Sequence, residues 1–207
     1  MSAPVVMDRR PRATWLWVGG VAVASFLLGL LTFYAQGNLA DAWLSFANSA
    51  SGWTLLTALL VFFAQVSTRV AAALGALSFL LLVLGYTAGA QLNGLSYSPV
   101  LFGVVGVIAG PFIGLAAAWL RARRVRAALA TALLAGIFTG EAVYGLTVIA
   151  DSTRPEYWLA IGAVGIALLI GMVGMRVRGW LPVTIAVLGT AAVAGAFLAA
   201  YSALGQG

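Results

Sequence analysis

Residues 53–92 read WTLLTALLVFFAQVSTRVAAALGALSFLLLVLGYTAGAQL, an apolar stretch with one polar interruption at Ser67-Thr68-Arg69. As a single α-helix this stretch would be about 60 Å long, which is twice the thickness of the hydrocarbon core of a bilayer. The chain must therefore fold back on itself at the interruption. The stretch predicts two antiparallel membrane-crossing helices joined by a short turn that carries an arginine.

The same alternation of apolar runs and short arginine-bearing segments extends over the whole chain. The runs cover residues 15–35, 53–66, 70–90, 100–120, 127–150, 158–175 and 181–203. All but one of the basic residues lie in four clusters between runs: Arg9/Arg10/Arg12, Arg69, Arg121/Arg123/Arg124/Arg126 and Arg176/Arg178. Arginine clusters in every second segment between apolar runs follow the positive-inside rule of membrane proteins.

These features predict an all-α integral membrane protein with seven transmembrane helices, the N-terminus inside and the C-terminus outside. Residues 1–207 form a single transmembrane domain, with residues 1–14 as a cytoplasmic tail. Six spans are the alternative, because the second apolar run is short.

Composition excludes several classes of function. The chain is 63% hydrophobic and only 8% charged, so lipid is its main solvent. It contains no cysteine, histidine or lysine, which excludes disulfides, Schiff-base cofactors, imidazole-held metals and a Ser-His-Asp triad. We therefore predict no cofactor and no metal. We also predict no nucleic-acid partner, because the net charge of +6 comes from arginines that face anionic lipid headgroups. Arginine without lysine is typical of a GC-rich bacterial genome.

The first outer loop, residues 36–52, has amphipathic character. Its apolar residues recur at helical spacing, Asn38 is placed to act as N-cap, and Asp41 falls in the first turn. We predict a short surface helix anchored by Trp43. It is either an interfacial strap or a lid, formed by Asp41 and Trp43, over an outward-facing pocket.

The ends of two predicted spans resemble each other. Residues 31–37, LTFYAQG, are followed by Asp41 and Trp43, and residues 146–152, LTVIADS, are followed by Glu156 and Trp158. The offset is constant and both spans run outward, which favours a parallel repeat of three, one and three helices. Chance similarity in a chain rich in alanine and leucine is the alternative.

Glu141 is the one acidic residue within a predicted span. It follows Arg126 by fifteen residues and precedes Asp151 by ten, which places it about 15 Å from the outer edge. A carboxylate at this depth costs a few kcal/mol, so it should face the protein interior or a wet cavity. It either couples proton or solute movement, or forms a hydrogen bond that holds helices together.

Further polar residues fall near the outer ends of the spans. They are Tyr34, Gln36, Asn38, Tyr86, Gln91, Asn93, Tyr97 and Tyr144. Together they predict an outward-opening polar pocket with Glu141 at its base, although each alone is an ordinary loop residue.

Three segments carry a family resemblance: residues 29–37 (GLLTFYAQG), residues 47–53 (ANSASGW) and residues 140–151 (GEAVYGLTVIAD). They resemble a family of small, uncharacterised actinobacterial multi-pass membrane proteins, a domain of unknown function. The resemblance covers most of the chain. It implies a bacterial plasma-membrane location and supplies no activity.

Three functions remain open from the sequence. A transporter or solute-binding subunit predicts a wet outer pocket around Glu141 and coupling through protonation of Glu141. An embedded enzyme acting on an isoprenoid or lipid predicts a dry aromatic cavity, with neutral Glu141 as general acid. A structural subunit, in a homo-oligomer or with a partner chain, predicts no cavity and Glu141 bonded to a neighbouring helix. The outer polar residues favour the first, with the bilayer and a small-molecule ligand as partners.

Overall fold

The computed structural model describes residues 11–204, which fold into long helices joined by short turns. The helices are α1 (Pro11–Asn38), α2 (Leu44–Ala47), α3 (Ala50–Ala64), α4 (Thr68–Leu92), α5 (Val100–Trp119), α6 (Val125–Thr147), α7 (Pro155–Met175) and α8 (Trp180–Leu204). A 3₁₀ turn at Asp41–Trp43 precedes α2. The described residues contain no β-strand.

Six of these helices, α1 and α4 to α8, are long and apolar enough to cross a membrane. The prediction of a helical chain with several helices suited to crossing a membrane is therefore confirmed in length and composition. The predicted second span differs from the others. It is a pair of elements, Asp41–Ala47 and Ala50–Ala64, which meet at a bend of 62°. Helix α3 alone measures about 22 Å, which is less than the thickness of the hydrocarbon core.

The predicted fold-back between residues 53 and 92 is present. Helix α3 ends at Ala64 and α4 begins at Thr68. Gln65 adopts a left-handed conformation, with φ 51° and ψ 33°, which is a common way to end an α-helix. The loop between α1 and α3 is shorter than the predicted 36–52, because α1 continues to Asn38 and α3 begins at Ala50.

Glycines allow the closest helix contacts. Gly29 of α1 lies against the backbone of Leu82 on α4, and Gly85 of α4 lies against the carbonyl of Phe26 on α1. Helices α6 and α8 meet in the same way, with Gly140 against Ala194. Small residues bring helix backbones together where lipid supplies no hydrophobic drive for association.

The α1–α4 contact and the α6–α8 contact each join the first and third helix of one predicted three-helix repeat unit. The second helices differ, because α7 packs extensively on α6 while α3 makes smaller contacts with α1, α4 and α5. The duplication itself stays a prediction.

The turns define two ends of the bundle. The arginine end holds the turns at residues 65–67, 120–124 and 176–179. The opposite end holds residues 39–49, 93–99 and 148–154.

Candidate functional site

Glu141 is bound to the N-terminus of a neighbouring helix. Its side chain is 2% exposed and projects from α6, six residues before the helix ends at Thr147. The backbone N–H of Ala50 donates to Glu141 Oε1 at 2.8 Å, and that of Ser51 donates to Oε2 at 2.5 Å. Both carboxyl oxygens are therefore occupied by the first two residues of α3.

Helix α3 requires these acceptors because it begins inside the protein. The first N–H groups of any helix have no acceptor in their own helix, and burying them unpaired is costly. Ser49 is the N-cap of α3, and its Oγ accepts from the Gly52 N–H at 2.9 Å. Glu141 serves the two N–H groups that Ser49 does not reach. The positive end of the helix dipole adds to the attraction for a carboxyl group.

Tyr157 attaches α7 to the same point. Its hydroxyl lies 2.6 Å from Ser49 Oγ and 2.9 Å from Ser51 Oγ, and its side chain is 3% exposed. Three helices, α3, α6 and α7, thus meet in one buried hydrogen-bond network around residues 49–51.

The bend between α2 and α3 depends on Gly52 and Trp53. A Cβ atom at Gly52 would collide with the carbonyl oxygen of Phe46, so only glycine permits this approach of α2. Trp53 Nε1 donates to the carbonyl of Ala47, the last residue of α2, at 3.2 Å. The bend is therefore a built feature of the chain.

A cavity of about 180 Å³ lies beside this bend. Its lining is mainly aromatic: Asn48, Ser49, Ala50, Trp53, Phe79, Tyr86, Tyr97, Phe102, Val105 and Tyr201. None of the described residues that line it is charged. Tyr86 packs edge-to-face on Tyr97 with ring centroids 4.8 Å apart and in a tilted arrangement on Trp53 at 6.0 Å. Burial and the neighbouring Tyr86 raise the pKa of Tyr97, which lies in the loop after α4, so its hydroxyl stays protonated.

The structure places the predicted pocket residues in small groups. Gln36 Oε1 accepts from the Tyr86 hydroxyl at 2.8 Å, so it lies behind one wall of the cavity. The Tyr34 hydroxyl accepts from Asn93 Nδ2 at 3.2 Å, at the exposed edge between α1 and α4. Gln91 is exposed at the end of α4.

Tyr144 contacts a residue of the cavity lining, Tyr201, but is not itself part of the lining. It lies one turn beyond Glu141 on α6 and packs edge-to-face on Tyr201 at 5.6 Å. Tyr201 in turn lines the cavity, whereas Glu141 lies outside the lining. The part that these side chains play in binding stays a prediction.

The predicted surface helix is present in a shorter form, and its predicted cap is wrong. Asn38 ends α1, where its Nδ2 donates to the Tyr34 carbonyl at 2.8 Å, and Ala40 precedes the 3₁₀ turn. Trp43 is exposed. Asp41 lines an open depression shared with residues 151–154, away from the aromatic cavity. Its role as a lid stays a prediction.

Sequence reasoning missed the residues that complete the network and the cavity. Ser49, Ser51 and Tyr157 form the network with Glu141, and Trp53, Phe79 and Tyr201 line the cavity. Ser49 carried a recognisable signal, because serine directly before an apolar helical run is a typical N-cap. The contacts of Tyr157 and Tyr201, from distant helices, carry no such local signal.

Comparison with known proteins gives a family and no activity. No curated protein and no solved structure matches the chain. One family model matches residues 8–206, nearly the entire chain, and is described as "Family of unknown function (DUF6518)". The predicted membership of an uncharacterised family is thereby confirmed, and the chain belongs to the DUF6518 family.

Proposed function

We propose that this protein binds a small, uncharged solute in the aromatic cavity and acts as a transporter, or as the membrane subunit of one, in the bacterial plasma membrane. The observation that carries this proposal is the cavity beside the broken α2–α3 element. Discontinuous helices are a recurrent way to build solute sites in membrane transport proteins.

The chemistry of the lining defines the solute. Aromatic rings offer flat apolar surfaces, while Ser49 and the tyrosine hydroxyls offer a few hydrogen-bonding groups. Because the described lining contains no charge, a charged solute would lose its hydration without an ionic partner. The cavity therefore suits a compact solute with an apolar face and one or two hydroxyl or amide groups.

The state of Glu141 argues against the enzyme alternative. A general acid must reach the reacting atom of its substrate. Glu141 instead has both oxygens bonded to backbone N–H groups of α3 and lies outside the cavity lining. In this proposal Glu141 fixes the wall of the site rather than touching the solute.

The positive-inside rule supplies the orientation in this proposal. The arginine end faces the cytoplasm, and the cavity opens at the outer face. Helices α2 and α3 together then form one broken span, the second in chain order, which brings the number of spans to seven. The N-terminus of the protein then lies inside and its C-terminus outside.

Filling the cavity tests solute binding directly. Val105 of α5 lines the cavity and forms none of the hydrogen bonds of the Glu141 network, so Val105→Trp should occupy the solute's space and leave those hydrogen bonds in place. We expect a small molecule that co-purifies with the wild-type protein in native mass spectrometry to be lost from this variant, with at least about a tenfold fall in occupancy, equivalent to about 1.4 kcal/mol of binding free energy.

Val104→Trp is the matched control, because Val104 is the adjacent residue and lies in the groove between α4 and α5 instead. The control should retain the solute. Equal occupancy in both variants would contradict binding in this cavity. The absence of any bound small molecule in the wild-type protein and the control would favour the structural-subunit alternative.

A further inference from the structure

Four arginines surround one cavity at the arginine end of the bundle. The cavity has a volume of about 290 Å³ and is lined by Arg123, Arg124, Arg176, Arg178 and Met175. The turns at residues 120–124 and 176–179 hold it in place, because the Arg124 N–H donates to the Arg176 carbonyl at 3.1 Å. Arg176 Nη1 also donates to the Arg121 carbonyl at 2.9 Å. We call this site the arginine pocket.

No acidic side chain neutralises the arginine pocket within residues 11–204. The acids of that part of the chain are Asp41, Glu141, Asp151 and Glu156. Glu141 accepts hydrogen bonds from the N-terminus of α3, and the other three lie at the opposite end of the bundle. Burial and the neighbouring Arg176 lower the pKa of Arg121, as expected for cations crowded together. An anion in the pocket would relieve this repulsion.

Two buried N–H groups at the end of α5 and the turn after it have no acceptor among the residues that the structure describes. They are Trp119 Nε1 and Arg121 Nη2, which lie two residues apart in the chain. The Arg121 guanidinium is held in place over the Phe62 ring, 4.3 Å from its centroid. Buried donors of this kind normally have a partner, which these two lack among the described residues.

The backbone of Arg124 is strained. Its φ of 55° and ψ of −127° lie in a region that favours glycine and is unfavourable for other residues. Arg124 lines the arginine pocket, so an arginine stands at a strained backbone position beside the other three cations.

An apolar groove leads away from the same turn. It runs between α3, α6 and α7, and its lining includes Phe62, Leu120, Leu134 and Leu168. Leu120 directly precedes Arg121, and Phe62 is the ring under its guanidinium. A site for anions therefore adjoins a surface for acyl chains.

We propose that the arginine pocket binds the headgroup of an anionic phospholipid that carries two phosphates, with acyl chains along the α3–α6–α7 groove. Two guanidinium groups suffice for one phosphate in bidentate geometry, so four match two phosphates. Basic pockets between membrane helices bind such headgroups on the cytoplasmic side. This site is separate from the solute cavity and does not depend on the proposed function.

Native mass spectrometry of the purified, delipidated protein tests the site by titration with cardiolipin, phosphatidylglycerol, phosphatidylcholine and inorganic phosphate. We expect cardiolipin to bind most tightly. The double variant Arg123→Gln/Arg178→Gln, both exposed positions, should bind cardiolipin at least about tenfold more weakly, because it removes two of the four cations that line the pocket. The matched control is Arg69→Gln/Arg126→Gln, which removes two arginines that do not line the pocket.

Arg124→Gly separates binding from stability. Glycine relieves the strained backbone, so its melting temperature should equal or exceed that of the wild-type protein, while its cardiolipin affinity falls. Equal weakening by the pocket and control pairs would overturn the proposal, as would full cardiolipin affinity in Arg124→Gly. Inorganic phosphate binding as tightly as cardiolipin would identify a free-phosphate site and overturn the lipid assignment.

Discussion

Glu141→Ala is expected to lower the stability of the protein by about 2–6 kcal/mol, because the buried N–H groups of Ala50 and Ser51 each lose an acceptor at a cost of about 1–3 kcal/mol. For a chain of this size the melting temperature should fall by about 10 °C. Thermal unfolding in detergent, followed by size-exclusion chromatography of the soluble fraction, measures the loss.

Glu141→Gln identifies the cause. The amide keeps one carbonyl acceptor but places an NH₂ group against the second N–H donor, so we expect roughly half of the alanine effect. Glu156→Gln is the control, because Glu156 is an exposed acid in the first turn of α7. If the melting temperature of Glu141→Ala equals that of this control, Glu141 does not stabilise the N-terminus of α3 and the described network is wrong.

Gly85→Val is expected to disrupt the contact between α1 and α4. A Cβ at Gly85 would collide with the Phe26 carbonyl and approach the Leu30 nitrogen to 2.9 Å, and these backbone atoms cannot move without displacing α1. Overpacking of this kind costs on the order of 3 kcal/mol or more when backbone must shift. We expect a large loss of monodisperse protein in fluorescence-detected size-exclusion chromatography.

Gly195→Val is its matched control, since a Cβ at Gly195 on α8 meets no heavy atom within 4 Å. Gly85→Ala should give an intermediate yield, because its side chain lacks the two branching methyl groups. Equal yields from Gly85→Val and Gly195→Val would show that α1 and α4 do not approach each other in this way.

The membrane class and most of the helix boundaries were predictable because they depend on local sequence. An apolar run must become a helix in lipid, and arginines mark its ends. The fold-back at Ser67-Thr68-Arg69 followed from length alone. The second span was less predictable, since its apolar run begins at Trp53 while the helix begins at Ala50, within a polar Asn-Ser-Ala-Ser segment.

That segment can lie within the bundle because side chains of α6 and α7 form hydrogen bonds with its polar groups. The depth of Glu141 predicted that it would face the interior, and the structure shows this. Its acceptor role could not be predicted, because Ala50 and Ser51 lie about 90 residues away in the chain. The aromatic cavity has the same origin, since Trp53, Tyr97 and Tyr201 come from separate elements.

The most direct test of the central claim, that the cavity beside the α2–α3 bend opens to the outside, uses single cysteines in this cysteine-free chain. Asn48→Cys lies at the exposed edge of the cavity, and Arg178→Cys lies at the arginine end. In intact spheroplasts, a membrane-impermeant maleimide should label Asn48→Cys, whereas Arg178→Cys should react only after permeabilisation. Labelling of Arg178→Cys in intact spheroplasts, with Asn48→Cys protected until permeabilisation, would contradict the orientation and the outward-facing site.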